Sequence, residues 1–195
     1  VLRYGHPESL NIVRKHADEL AAVLVEPVQS RHPNLQPREF LHGLRELTAK
    51  SGIALIFDEV ITGFRLHSGG AQAWFDVQAD LATYGKALGG GLPIGAVAGK
   101  ARFMDALDGG QWNFGDSSMP EVGVTYFAGT FVRHPLAIAA ASAVLRHIQQ
   151  AGSQLYQSLN KRASRLAKDL NRHFEDNCIP IHIQQCGSLF CISFT

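Results

Sequence analysis

The sequence predicts an α/β fold, in which helices cover both faces of a mostly parallel sheet. Short, continuous apolar runs alternate with helical patterns, and Gly and Pro lie near the boundaries of these segments. Continuous apolar strands are typical of parallel sheets that are buried on both faces. A chain of 195 residues, 46% of them hydrophobic and 18% charged, is long enough and apolar enough to form one sizeable soluble domain.

The first hundred residues supply most of the predicted sheet. A helix is expected over residues 7–19, and a second helix begins near Pro37 and ends at Gly52. Strands are predicted by four short apolar runs, which lie at residues 21–25, 53–57, about 81–84 and 94–99. The first run, AAVLV, is continuous and predicts a buried strand.

The second half of the chain begins with a segment of different amino-acid composition. Residues 105–129 mix Gly, Asp, Ser, Pro and aromatic residues, which is typical of a long ordered loop, and such loops are often functional. Helices follow over residues 135–150 and about 153–176, and SLFCISFT at the end predicts a strand. The second helix carries an apolar stripe that we assign to a core or an interface: Leu155, Leu159, Ala163, Leu166, Leu170 and Phe174.

Charge and composition argue against several functions. The net charge is +1 and the cations are scattered, so we expect no nucleic-acid partner. The longest apolar runs are far shorter than the roughly 18–20 residues of a membrane span. The N-terminus does not resemble a signal peptide. The cysteines, Cys178, Cys186 and Cys191, and the nine histidines form no metal pattern, so we expect reduced thiols, a cytoplasmic protein and no metal site.

Polar residues follow three of the predicted strands. Glu26 follows AAVLV, the pair Asp58 and Glu59 follows IALIF, and Lys86 follows the short strand that precedes it. Ligands of parallel α/β sheets bind at the carboxyl ends of the strands. We therefore expect these side chains to face one crevice.

Lys86 lies in the glycine-rich stretch ATYGKALGGGLPIG and has three possible explanations. A phosphate cradle is disfavoured, because the lysine precedes its glycines and no GxxxxGK[ST] pattern is present. A solvated lysine beside a turn is the default for Lys86 alone. Asp58 favours the third explanation, a desolvated amine that forms a Schiff base with a carbonyl while a carboxylate holds a cofactor nitrogen protonated.

Two motifs at this spacing resemble the class III aminotransferases, which depend on pyridoxal phosphate (PLP). They are LIFDEVITGFR at 55–65 and TYGKALGGGLPIGAVAG at 83–99, with VEP at 25–27 and AGTF at 128–131 in the same order as in that family. The resemblance runs from about Leu20 to Ala143, and the members most similar are glutamate-1-semialdehyde aminomutase-like. It implies the fold type I of PLP-dependent transferases and an enzyme that moves an amino group.

A narrower resemblance concerns GDSSMPEVGVTYFAGTFVRHPLA and VEPVQSRHPNLQPREFL. Both are similar to aminotransferase domains embedded in hybrid polyketide synthase–peptide synthetase enzymes, such as those that make microcystin, nodularin and iturin-type lipopeptides. His134 precedes Pro135, where freestanding aminomutases usually have asparagine. This resemblance implies transfer from an amino acid donor to a β-keto acyl chain on a carrier protein, whose chain Trp112, Phe114 and Tyr126 could contact.

The resemblance also implies roles for single residues. Lys86 would bind PLP covalently and move a proton, and Asp58 would pair with the ring nitrogen. Val60 would pack on the ring, and Thr130 would bind the cofactor phosphate of the other subunit of a homodimer. Roles near the pocket are less defined for Glu26 and Gln29, and Arg65 and Trp112 are weaker candidates for substrate contact.

The same resemblance implies that this chain is one piece of a longer enzyme. Residues 1–150 would be part of the PLP-binding large domain, and residues 151–195 a connecting helix and the start of a small domain. The motif that binds phosphate and the aromatic ring that stacks on PLP are expected to precede this piece. Two other functions remain open: a freestanding glutamate-1-semialdehyde aminomutase, and a catalytically silent scaffold.

Overall fold

The computed structural model describes residues 1–107, 109–110, 112–113, 115–121, 123, 125, 129 and 132–194. Its helices and strands are, in chain order, α1 (Pro7–Lys15), β1 (Ala22–Val25), α2 (Arg38–Lys50), β2 (Ala54–Glu59), α3 (Gly70–Phe75), β3 (Leu81–Tyr84), β4 (Ala96–Gly99), α4 (Ala101–Met104), α5 (Pro135–Asp176), β5 (Ile181–Cys186) and β6 (Leu189–Phe194). Short 3-10 turns cover Ala17–Glu19, Lys86–Gly89 and Asp105–Leu107.

A four-stranded sheet with the order β1-β2-β3-β4 forms the centre of the fold. β1, β2 and β3 are parallel, and Val25 lies beside Phe57, which lies beside Ala82. β4 pairs antiparallel with β3 at the edge. The prediction of an α/β fold with a mostly parallel sheet is confirmed, and the strands predicted at 21–25, 53–57 and 81–84 match β1, β2 and β3 closely.

Helices cover one face of this sheet in the part of the chain that the structure describes. On that face Val25, Leu55 and Phe57 join the core with residues of α1, α2 and α3. The other face is more open, since Leu24 of β1 is 65% exposed and Val97 of β4 is 54% exposed. Among the described residues, the expected cover on both faces therefore holds for one face, and the prediction of a buried strand at AAVLV holds for Val25 but not for Ala22 or Leu24.

The C-terminal part packs around α5. This helix has a non-helical residue, Gly152, with φ of 59° and ψ of −153°, which separates the two predicted helical stretches. The hairpin β5–β6 packs on it, and Asn171 hydrogen bonds both the N–H and the carbonyl of Ile183. The predicted apolar stripe is only partly covered, because two of its six residues, Leu159 and Leu166, are exposed and the other four are half-buried.

No helix among the described residues combines the length and the apolar character that crossing a membrane requires.

Candidate active site

The carboxyl ends of β1, β2 and β3 bring three charged side chains together. Because the three strands are parallel and in register, Glu26, Asp58 and Lys86 all lie at the same edge of the sheet. The pKa of Glu26 is raised, mainly by burial and also by the charge of Asp58. A hydrogen bond from the Ser30 backbone and the charge of Lys86 oppose this rise. The prediction that the charged groups face one crevice therefore holds only in part: Glu26, Asp58 and Lys86 share this edge, but neither Glu26 nor Asp58 lines the cavity at Lys86, and Glu59 is buried on the other face.

Asp58 is the half-buried penultimate residue of β2, so the strand extends beyond the predicted IALIF. Its Oδ1 accepts hydrogen bonds from the Val60 N–H at 3.1 Å and from the Thr83 hydroxyl at 3.1 Å. Both hydrogen bonds that the described residues donate to Asp58 end on Oδ1. The carboxylate is thus fixed in orientation, while Oδ2 keeps its capacity to accept a proton donor.

Lys86 directly follows Gly85, which connects it to β3. Its φ of 40° lies in the left-handed region, which is costly for a residue with a side chain. Gly85 is also restricted, since a Cβ there would come within 3.3 Å of the Ile94 carbonyl and 3.4 Å of Val60 Cγ1. The backbone at the end of β3 therefore has a constrained path, and it presents the Lys86 side chain to a cavity. Lys86 is exposed, so the expected desolvation of its amine is not found in this chain.

This cavity has a volume of about 830 Å³, within the range of roughly 300–1,000 Å³ typical of small-molecule sites. Val60, Tyr84 and Lys86 line one part of it, and Arg133 and His134 line the part near the start of α5. The remaining walls are mainly apolar and backbone: Gly85, Leu92, Pro93, Ile94, Gly95, Gly129, Val132, Ala137 and Ile138. The cavity thus offers one primary amine, further basic groups and an apolar surface.

Glu26 and Gln29 lie beside a different cavity. This second space, of about 480 Å³, is bounded by β1, by the N-terminal segment and by Phe40 and Leu44 of α2. The Tyr4 hydroxyl donates to the Pro27 carbonyl at 2.5 Å, which ties the N-terminal segment to the end of β1. The charges of Asp58 and Lys86 therefore reach Glu26, although the Glu26 side chain borders a neighbouring cavity.

Of the remaining candidate residues, the structure describes Val60, Arg65 and Trp112 and does not describe three others. Val60 lines the lysine cavity as predicted, whereas Arg65 donates from Nη2 to the Ser188 carbonyl at 2.9 Å and so binds the β5–β6 hairpin. Trp112 does not line this cavity. Three residues that were singled out lie outside the described part of the chain: Phe114, Tyr126 and Thr130.

Residues that the sequence reasoning missed support the same edge of the sheet. Thr83 holds Asp58, and Gln72 of α3 links Glu59 at the end of β2 to Tyr84 at the end of β3. The parallel register places Thr83, three residues before Lys86, directly beside Asp58. A hydroxyl at this position was a signal that could have identified Thr83 from the sequence. Gln72 offered no such signal, since α3 is a short helix without apolar periodicity.

Known proteins resemble this chain along its full length. The family described as Aminotransferase class-III matches residues 5–195. A glutamate-1-semialdehyde 2,1-aminomutase from Sulfurihydrogenibium sp. is 37% identical over 100% of this chain and 43% of its own length. An omega-transaminase from Sphaerobacter thermophilus superposes with a TM-score of 0.83 and is 32% identical, covering 100% of this chain and 42% of that chain.

A further solved structure, a transaminase with PLP bound, has a TM-score of 0.81 and is 30% identical. The match covers 98% of this chain and 43% of that chain. The chain therefore spans less than half the length of the relatives that it matches.

Proposed function

The chain belongs to the class-III aminotransferase family, and from this premise we propose that the whole protein is a PLP-dependent aminotransferase. The observation that carries the proposal is the arrangement of Asp58 and Lys86. They lie at the ends of adjacent parallel strands, and Lys86 opens into a cavity of about 830 Å³. A lysine amine and an oriented carboxylate are the two groups that PLP chemistry takes from its protein.

The residues present fit this cofactor. Lys86 supplies the amine for a covalent bond, and Asp58 supplies an acceptor, Oδ2, on a carboxylate that Val60 N–H and the Thr83 hydroxyl hold in place. Val60 adds an apolar wall to the cavity beside the lysine. We propose that Lys86, Asp58 and Val60 are the residues of this chain that bind PLP, with Glu26 and Gln29 next to them.

The chemistry divides between the cofactor and the chain. When bound, PLP supplies an aldehyde that takes up the amino group and a ring that draws electrons from the substrate carbon. Asp58 keeps a proton on the ring nitrogen by accepting its hydrogen bond. Lys86, once its amine is released, carries the proton between substrate and cofactor at Nζ. The charges of Asp58 and Lys86 act in opposite directions on the pKa of the nearby Glu26 carboxyl.

For the substrate, we propose transfer from an amino acid to a β-keto acyl chain on a carrier protein, in a polyketide–peptide synthase. The resemblance of residues 115–137 to embedded domains supports this assignment. A second candidate, a freestanding glutamate-1-semialdehyde aminomutase, is favoured by the name of the relative from Sulfurihydrogenibium sp.. The two candidates share the PLP chemistry and differ in how the substrate arrives.

The test compares one β-keto acyl group on its carrier protein and as the free acid, with glutamate-1-semialdehyde as the third substrate. A tethered chain is presented at an effective concentration of roughly millimolar, so the site needs little affinity for the free acid. We expect a much higher kcat/KM for the carrier-bound form. Equal kcat/KM for both forms, or fast turnover of glutamate-1-semialdehyde, would contradict the synthase assignment and leave the PLP chemistry intact.

We also propose that the protein is a homodimer in which Thr130 binds the cofactor phosphate of the other subunit. The test mixes two inactive variants, Lys86→Ala and Thr130→Val. A contact across the interface gives heterodimers one site with both native residues, so activity returns on mixing. Heterodimers that form, as native mass spectrometry would show, yet stay inactive would exclude the contact in trans.

A further inference from the structure

The acidic residue after Asp58 has no part in the chemistry proposed so far. Glu59 ends β2, is 0% exposed and points to the sheet face opposite to Asp58, because successive strand residues alternate in direction. Burying a carboxyl group away from water costs free energy unless its oxygens accept hydrogen bonds. The burial of Glu59 therefore requires hydrogen-bond donors within the fold.

Four hydrogen bonds converge on the Glu59 carboxylate. Oε2 accepts from the Ala71 N–H at 2.5 Å and from the Thr62 hydroxyl at 3.2 Å. Oε1 accepts from the backbone N–H and the side-chain amide of Gln72, both at 3.3 Å. Gly70 makes room for this arrangement, since a Cβ at its position would overlap Oε2, and its φ of 63° favours glycine.

The amide of Gln72 extends the connection to β3. Its Nε2 also donates to the Tyr84 hydroxyl at 3.1 Å, and its Oε1 accepts from the Ala79 N–H at 3.0 Å. Glu59 and Tyr84 are direct neighbours in the parallel register of β2 and β3. Gln72 therefore links the last residues of two adjacent strands from the core side of the sheet.

The two strand ends linked in this way carry the residues of the proposed site. Asp58 precedes Glu59, and Lys86 follows Tyr84 with only Gly85 between them. Lys86 has a left-handed backbone, with φ of 40°. Such a conformation is unfavourable for a residue with a side chain and persists where the surroundings impose it. Because Gln72 holds Tyr84 in place, it also limits the backbone positions available to Lys86, two residues later.

We propose that Glu59, Gln72 and Tyr84 form a positioning network that holds Asp58 and Lys86 in the geometry of the transamination reaction. The proposal rests on the proposed function and adds two residues that do not line the lysine cavity, Glu59 and Gln72, together with Tyr84, which lines it and bonds Gln72 through its hydroxyl. The network acts through the backbone of β2 and β3. A shift of the strand ends by a fraction of an ångström would change the distance between the ring nitrogen site at Asp58 and the amine of Lys86.

Glu59→Gln is the informative variant, because it keeps the shape of the side chain and places an amide where Gln72 donates. We expect kcat to fall by about tenfold while KM for the amino donor stays within about twofold, which indicates loss of transition-state geometry rather than of substrate binding. The reciprocal exchange E59Q/Q72E restores a side-chain donor opposite a side-chain acceptor, while the backbone N–H of residue 72 still faces the new amide. It should therefore recover part of kcat, whereas Gln72→Glu alone should recover none.

A second readout does not depend on turnover. Apo protein is incubated with PLP, reduced with borohydride and digested, and the rate of labelling at Lys86 is measured by peptide mass spectrometry. We expect slower labelling in Glu59→Gln and partial recovery in the double variant. Thr48→Val is the matched control, since Thr48 is also buried and donates to the Leu44 and Arg45 carbonyls within α2, away from the strand ends.

The outcomes separate this network from the proposed function itself. If the unmodified protein is never labelled at Lys86, the proposed function is wrong. If it is labelled and active, and Glu59→Gln matches Thr48→Val in kcat and in labelling, the network is wrong. Should Glu59→Gln fail to fold, Tyr84→Phe decides in its place, because it removes only the hydroxyl that Gln72 contacts. Unchanged kcat and labelling in Tyr84→Phe would overturn the network.

Discussion

Asp58 and Glu59 are consecutive acids in one strand, and they lie in opposite environments. Glu59 faces the core and accepts four hydrogen bonds from the described residues. Asp58 faces the open side and accepts two, both on one oxygen. A carboxylate whose acceptor capacity is used up within the fold supports the structure. A carboxylate that is oriented but not saturated remains available for chemistry.

The core side of the sheet has a second saturated acid, Asp80. Burial alone would raise its pKa, but hydrogen bonds from Lys100, the Leu55 N–H and Arg45 lower the pKa well below the usual range. On the open side, the charges of Asp58 and Lys86 act in opposite directions on the pKa of Glu26, which burial raises. The difference between the two faces makes predictions that can be measured on each.

The largest expected effect is on the open side. Lys86→Ala should abolish turnover and the borohydride-fixed bond between protein and cofactor, because it removes the amine in the lysine cavity. Absorbance spectra and peptide mass spectrometry measure both properties. A variant that still turns over normally and still retains reducible cofactor would remove Lys86 from the mechanism. An unmodified protein without any cofactor absorbance would instead support the silent scaffold.

Two leucines of adjacent strands test the contrast directly. Leu55 points to the core and is 0% exposed, whereas Leu24 points to the open face and is 65% exposed. Leu55→Ala should lower the free energy of unfolding by about 2–5 kcal/mol, and Leu24→Ala by less than about 1 kcal/mol. Urea unfolding of both variants measures this. An equal cost for Leu24→Ala would show that the open face is covered in the whole protein.

Asp80→Asn should destabilise the fold by about 2–3 kcal/mol, because it leaves Arg45 and Lys100 without the charge that they bind. The pKa of Asp80 is lower in the folded than in the unfolded state. Its contribution to stability is therefore fully present above the unfolded value of about 3.9 and is lost as the pH falls below it. Unfolding measured from neutral to acid pH should show a flatter acid limb in Asp80→Asn. An unchanged acid limb would contradict the role of this carboxylate.

The smallest of these effects is that of Asp58→Asn. An amide cannot hold the ring nitrogen protonated, although it can still accept from Val60 and Thr83. A charge-assisted hydrogen bond is worth about 1.5–3 kcal/mol, so we expect turnover to fall by about one to two decades while cofactor stays bound. Single-turnover kinetics with an amino acid donor measure the step. A rate within about twofold of the unmodified protein would exclude Asp58 from the mechanism.

The sequence predicted the parts of the fold that depend on local patterns. Short apolar runs between turn residues located β1, β2 and β3, and their ends located Glu26, Asp58 and Lys86. The direction of β4 was not predictable in this way, because an apolar run contains no information about its partner. β5 was missed for a related reason, since IHIQQC becomes a strand through its pairing with β6.

The supporting network of the site was also beyond local reasoning. The sequence predicted that Glu59 faces the crevice together with Asp58, and its burial on the opposite face depends on the donors of α3. Gln72 reads as an ordinary polar residue of GAQAWF. Gln72 is important because it contacts Glu59 and Tyr84, which lie on two different strands. These contacts can be identified only from the three-dimensional structure.

The parallel register also sets the order in which this chain can fold. The hairpin β5–β6 is closed by the turn between Cys186 and Leu189, and hairpins of this kind form in roughly 1–10 μs. β1, β2 and β3 must instead close long crossovers before Val25, Phe57 and Ala82 meet, and such non-local pairing slows folding. During synthesis from the N-terminus, the reactive edge of the sheet cannot exist until Lys86 has left the ribosome. Any intermediate that lacks β3 carries the acids of the site without its amine.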